Sequence, residues 1–61
     1  MEKGFYRDDY LGWKRYQSQD NPTRYFATKN FDKYGEQKVT GSSLWDLEFK
    51  IRTREENLFK K

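Results

Sequence analysis

Aromatic rings are the main material from which this chain can build a hydrophobic core. Twelve of its 61 residues are Phe, Tyr or Trp, while hydrophobic residues of all kinds make up only 33% of the sequence. A buried ring removes roughly 150–250 Å² from water, so a few rings can replace many aliphatic side chains. The charged fraction of 38% is typical of disordered chains, but disordered chains are poor in aromatic residues. We therefore expect one ordered domain with a small, ring-rich core.

The length and the absent residue types exclude several classes of function. A chain of 61 residues holds one domain at most and has no room for a deep active-site cleft. Cys and His are both absent, which excludes disulfides, thiol catalysis, imidazole bases and the usual zinc and haem ligands. No glycine-rich phosphate loop is present either. We expect a protein that is not an enzyme and that binds no cofactor and no metal.

Two tight turns separate three predicted strands. Asp20–Thr23 contains Pro22, which presets φ, and Asp32–Gly35 ends in a glycine that can take a positive φ. The runs beside these turns carry aromatic and β-branched residues, which favour strands. The predicted strands are residues 11–19, 24–31 and 36–40. Short turns between consecutive strands predict an antiparallel meander.

The N-terminal residues show no sustained hydrophobic period. Residues 1–9 mix acidic, basic and aromatic side chains, so we expect a loose tail before a single domain of residues 10–61. Met1–Gly4 lacks the apolar segment of a signal peptide, and no apolar run approaches the roughly 18–20 residues of a membrane span. These features predict a cytoplasmic protein with no membrane contact.

The C-terminal segment fits two structures. As a helix over residues 44–59 it has a Ser43 cap, with Asp46 at the capping-box position. Its aliphatic residues then form one stripe, made of Leu44, Leu47, Ile51 and Leu58. As a strand, the residues from Trp45 to Arg54 alternate strictly in polarity, which is a period of two. We favour the helix, because a strand would leave the apolar face of the sheet uncovered unless the chain curled into a barrel.

Together these interpretations define a fold class and a core. We predict an α+β domain in which a three-stranded antiparallel meander packs on one C-terminal helix. The alternative is a small all-β barrel. The predicted core consists of Trp13, Tyr25, Ala27, Phe31, Val39, Leu44, Leu47, Ile51 and Leu58.

Positive charge is concentrated on the predicted strands. Residues 10–41 carry six basic and three acidic side chains, in a chain whose total net charge is +3. Basic side chains interleaved with rings suit a sheet that enters a major groove or follows a phosphate backbone. We predict double-stranded DNA as the partner, with amide and hydroxyl groups contacting bases. The predicted nucleic-acid-binding residues are Lys14, Arg15, Gln17, Arg24, Thr28, Lys29 and Lys38.

One stretch also resembles a known family. Arg24–Ile51 has an aromatic strand, a D-x-x-G turn at Asp32–Gly35, a basic strand that ends at Gly41, and a capped helix. This layout is similar to the arm-type DNA-binding domain at the front of phage and transposon tyrosine recombinases. The resemblance implies a three-stranded sheet packed on one helix, with the sheet lying in the major groove of DNA.

The same composition fits a different class of function. Trp, Tyr and Arg are the residues most enriched at protein-binding hot spots, and the chain contains two Trp and five Tyr. The alternative predictions are a small phage or mobile-element protein that docks on one host protein and modulates it, or a small structural subunit of a larger assembly.

Overall fold

The computed structural model describes residues 3–60, which form a four-stranded antiparallel sheet and one helix. The elements are β1 (Gly4–Tyr10), β2 (Trp13–Ser18), β3 (Tyr25–Phe31), β4 (Gly35–Gly41) and α1 (Leu44–Phe59). The strands lie in the order β1-β2-β3-β4, and α1 packs mainly on β3 and β4. The α+β prediction is confirmed. The prediction of three strands is wrong, because the sheet has four, and the alternative of a closed barrel is also wrong.

The additional strand, β1, occupies most of the segment that we expected to be a loose tail. It pairs with β2 from Gly4↔Ser18 to Tyr10↔Trp13, with a bulge between Tyr6 and Asp8. The bulge breaks the alternation of side chains between the two faces, so β1 has no regular period to read from the sequence. Met1 and Glu2, which belong to the predicted tail, lie outside the described residues.

A tight turn of two residues joins β1 to β2. Leu11 has φ 52° and Gly12 has φ 83°, the pair of positive values that a type I′ hairpin requires. Glycine adopts this conformation readily, whereas leucine rarely does. The predicted strand from residue 11 is therefore wrong at its start, since β2 begins at Trp13.

The helix prediction over residues 44–59 is confirmed. The Asp46 backbone N–H donates to Ser43 Oγ at 3.0 Å, and the Ser42 N–H donates to the Asp46 carboxylate at 3.2 Å. Leu47 and Ile51, one turn apart, are fully buried against the sheet. Trp45 and Phe49, which the alternative strand interpretation would place on the apolar face, are exposed. Within residues 3–60, no helix is both long and apolar enough to cross a membrane.

The core lies between α1 and the sheet face that it covers, which we call the helix face. Trp13 and Phe31 meet edge to face at 5.7 Å between ring centroids, and Phe31 contacts Phe59 in the same way at 5.8 Å. The buried core residues are Trp13, Ala27, Phe31, Val39, Leu47 and Ile51, with Tyr10, Tyr25 and Leu58 packed against them. Eight of the nine predicted core residues are in this group; the ninth, Leu44, is half-buried.

Candidate nucleic-acid interface

The sheet surface opposite α1 is the candidate interface, and we call it the open face. Alternation along the strands and the contacts between neighbouring strands identify its side chains. They belong to Tyr6, Asp9, Lys14, Tyr16, Ser18, Phe26, Thr28, Asn30, Glu36, Lys38 and Thr40. No element within residues 3–60 packs over this surface, so its exposed side chains face solvent.

A row of three rings crosses the open face. Tyr6 meets Tyr16 edge to face at 5.8 Å, and Tyr16 stacks on Phe26 at 5.0 Å with ring planes 10° apart. Lys38 Nζ lies 4.9 Å from the Phe26 ring centroid. Phe26 is only 6% exposed, whereas Tyr6 is 56% exposed. The row therefore exposes Tyr6 and part of Tyr16 to solvent, while the buried Phe26 ring stacks against Tyr16.

Two local features hold this row in place. The Tyr6 hydroxyl donates to Asp9 Oδ1 at 2.8 Å, and this hydrogen bond raises the pKa of Tyr6. Gly4 leaves space for the Phe26 ring, because a Cβ on Gly4 would lie 2.7 Å from that ring. The requirement for glycine at position 4 comes from this close approach.

Three of the seven predicted site residues lie side by side on the open face. Lys14 is directly opposite Thr28 in the β2–β3 pairing, and Thr28 is directly opposite Lys38 in the β3–β4 pairing. They form a polar row parallel to the row of rings. Asn30 lies on the same face two residues beyond Thr28. Asp9, opposite Lys14 on β1, places one carboxylate at the end of the polar row.

Arg15 lies on the helix face instead, and it is 8% exposed. Its guanidinium binds the Asp8 carboxylate through two hydrogen bonds of 2.6 Å and donates to Glu48 Oε2 at 3.0 Å. These hydrogen bonds hold the pKa of Asp8 below its usual value and raise the pKa of Arg15. Arg15 thus connects β1, β2 and α1, and its guanidinium is directed into the fold.

Two further predicted residues also belong to the helix face. Lys29 Nζ lies 3.6 Å from Glu55 Oε2 and 3.4 Å from the Leu11 carbonyl oxygen. Gln17 donates its side-chain amide to the Pro22 carbonyl oxygen at 2.8 Å. The structure therefore separates Arg15, Gln17 and Lys29 from the polar row.

Arg24, the remaining predicted residue, precedes β3 and lies outside the strands. Its backbone N–H donates to the Asn21 carbonyl at 2.9 Å, and its own carbonyl accepts from the Ser18 N–H at 2.9 Å. Arg24 is exposed at the end of the sheet, beyond the polar row.

Sequence reasoning missed Tyr6 as part of the candidate interface, because it did not predict β1. It also assigned basic residues from both faces of the strands to one interface. The alternation itself was the signal that could have separated them, since Lys14 and Arg15 are neighbours and must point to opposite faces.

Comparisons with protein-family models, curated proteins and solved structures found no match. The resemblance to recombinase arm-type domains therefore stays a prediction. Among the residues that the structure describes, no group of three or more acidic side chains is placed to hold a metal ion.

Proposed function

We propose that the protein binds double-stranded DNA through the open face and catalyses no reaction. The observation that supports this proposal is the polar row of Lys14, Thr28 and Lys38. Thr28 lies on the middle strand, directly opposite Lys14 on one side and Lys38 on the other. Beside it lies the row of rings headed by Tyr6 and Tyr16. The two rows combine ammonium groups for phosphates with ring surface for sugars and bases.

The dimensions of the sheet support insertion into a major groove. Strands β2 and β4 are two strand spacings apart, which is roughly 10 Å, and the groove is about 12 Å wide. In this arrangement Lys14 and Lys38 contact phosphates on the two sides of the groove. Thr28 and Asn30 lie between them and direct hydroxyl and amide groups to the base edges.

The salt dependence of binding tests this proposal. Each lysine that neutralises a phosphate contributes about −0.9 to the slope of log K against log salt, so two lysines give a slope near −2. Lys14→Ala and Lys38→Ala should each weaken binding of a labelled duplex and make the slope shallower by about 0.9. Lys33→Ala is the matched control, since Lys33 lies in the β3–β4 turn next to Tyr34.

Three results would contradict the proposal. One is an absence of binding at about 50 mM salt with tens of micromolar protein, where even non-specific contacts are detectable. Another is an equal loss of binding in the Lys33 control. The third is tighter binding of a single strand than of the duplex, because that result would assign the rings to the stacking of unpaired bases.

A second candidate function is docking on another protein, and α1 provides the observation that favours it. Trp45 and Phe49 are 76% and 56% exposed, and their rings stack 6.3 Å apart on the outer side of the helix. Adjacent exposed rings are typical anchors of protein interfaces. If this surface docks on a host protein or a larger assembly, the Trp45→Ala/Phe49→Ala double variant should lose a partner that is captured at high salt. Lys14→Ala should retain that partner.

A further inference from the structure

A groove runs between the outer edge of β4 and the side of α1. Its volume is about 560 Å³, and the strand contributes Lys38, Val39 and Thr40 to its wall. The helix contributes Lys50 and Arg54, together with Thr53 and Asn57. Two basic side chains of α1 line the groove and none of its described lining residues is acidic, while the ammonium group of Lys38 lies on the open face beside Phe26. The groove therefore attracts negatively charged groups.

The strand beside the groove is an edge of the sheet. In the order β1-β2-β3-β4, the outer side of β4 has no neighbouring strand within residues 3–60. The Thr40 carbonyl faces α1 on this side, since Lys50 Nζ lies 3.5 Å from its oxygen. Alternate residues of an antiparallel strand direct their backbone groups to the same side, so this edge presents N–H and C=O groups in turn.

The two edges of the sheet differ in regularity. β1 is interrupted by its bulge between Tyr6 and Asp8, a feature that protects sheet edges from pairing with another chain. β4 keeps an unbroken register with β3 from Gly35 to Gly41. A regular edge accepts an additional strand more readily than a bulged one. The edge that faces the groove is therefore the one suited to strand addition.

Arg54 and Lys50 are held where they can meet the side chains of such a strand. Arg54 Nη1 donates to Gln37 Oε1 at 2.8 Å, which fixes the guanidinium next to β4. Lys50 Nζ lies 3.7 Å from Asp46 Oδ2 and projects from the helix towards Thr40. Both cations lie on the groove side of α1, so acidic side chains of an added strand would face them.

We propose that β4 and α1 together bind an extended acidic segment of a partner protein, which adds to the sheet as a further strand. Main-chain hydrogen bonds to a strand edge give affinity in this mode, and side-chain contacts give specificity. A nucleic-acid backbone carries negative charge but lacks the regularly spaced N–H donors with which an added strand pairs to carbonyl groups of a strand edge. The proposal does not depend on DNA binding, which uses the open face.

A peptide that alternates Glu and Val, labelled with fluorescein and about as long as β4, tests the proposal by fluorescence anisotropy. Arg54→Gln and Lys50→Gln should each weaken binding about tenfold, the loss expected for one charge-assisted hydrogen bond. Lys33→Gln removes the same charge from the β3–β4 turn and should leave binding unchanged. Thermal unfolding of each variant confirms that it remains folded.

Backbone pairing is tested separately. The same peptide N-methylated at alternate residues keeps its charges but loses its N–H donors, and it should bind at least about tenfold more weakly. In the unmodified chain, peptide addition should slow hydrogen exchange at outward-facing β4 amides. Equal binding of the N-methylated peptide, equal competition by a single-stranded oligonucleotide, or no saturable binding up to about 1 mM peptide would overturn the proposal.

Discussion

The two faces of the sheet use similar polar side chains in different ways. On the helix face, Arg15 and Lys29 contact acidic groups of β1 and α1. On the open face, Lys14 and Thr28, each one residue away, belong to the polar row, where Lys14 is exposed and Thr28 is half-buried. The direction of a strand side chain, rather than its type, decides whether it stabilises the fold or remains available to a partner.

This difference has an energetic consequence. A helix covers one face, so polar groups there need partners, because a buried charge without a partner is costly. The open face has no such requirement, because no helix covers it and the Lys14 side chain stays exposed to water. Substitutions on the helix face should therefore change stability, whereas those in the polar row should change binding.

The largest expected effect is at the centre of the helix face. Leu47 is fully buried, and Leu47→Ala should lower the free energy of unfolding by about 2–5 kcal/mol, because it leaves a cavity in the core. Urea denaturation measures this loss. Trp45→Ala, on the exposed side of the same helix, should change stability by no more than about 0.5 kcal/mol. Similar losses of stability in both variants would contradict the assignment of Leu47 to the core and of Trp45 to the surface.

The neighbouring residues Arg15 and Lys14 give the sharpest test of the difference between the helix face and the open face. Arg15→Ala removes the hydrogen bonds to Asp8 and Glu48 and should cost about 2–3 kcal/mol of unfolding free energy. Lys14→Ala, one residue away, should cost less than about 0.5 kcal/mol but weaken DNA binding. The comparison is wrong if Lys14→Ala destabilises the protein as much as Arg15→Ala does.

A smaller change in stability is expected when the pH is lowered. The pKa of Asp8 is lowered in the folded state by its hydrogen bonds with Arg15. The stabilising effect of Asp8 is therefore complete above the unfolded-state pKa of about 3.9, and it is lost as the pH falls through the lower folded-state value. Asp8→Asn should lower the urea midpoint at pH 7, and the difference in midpoint from the unmodified protein should shrink as the pH falls below the unfolded-state pKa of about 3.9.

Asp32→Asn is the matched control for this acid effect, because Asp32 lies in the exposed β3–β4 turn. The same measurement on Asp32→Asn shows whether the pH dependence is specific to the contact of Asp8 with Arg15. If the urea midpoint of Asp8→Asn differs from that of the unmodified protein by the same amount at every pH, the charge of Asp8 does not contribute to stability.

Local chemistry in the sequence was enough to predict the helix, two of the turns and almost all of the core. The Ser43 cap and the spacing of Leu47 and Ile51 act over a single turn of chain, so they can be read without knowledge of the rest of the fold. The core positions of Trp13 and Ala27 also follow from the sequence, because apolar residues within predicted strands favour burial.

Tertiary structure alone decided the remaining features. β1 is a strand because β2 offers it an edge and Arg15 binds its Asp8, and neither contact has a periodic signal within residues 4–10. The position of α1 made one face of the sheet the buried face and left the other open. That choice directed Arg15 and Lys29 into the fold and kept Lys14 at the surface, because alternate residues of a strand point in opposite directions. A count of charges along the chain contains no information about which face a helix will cover.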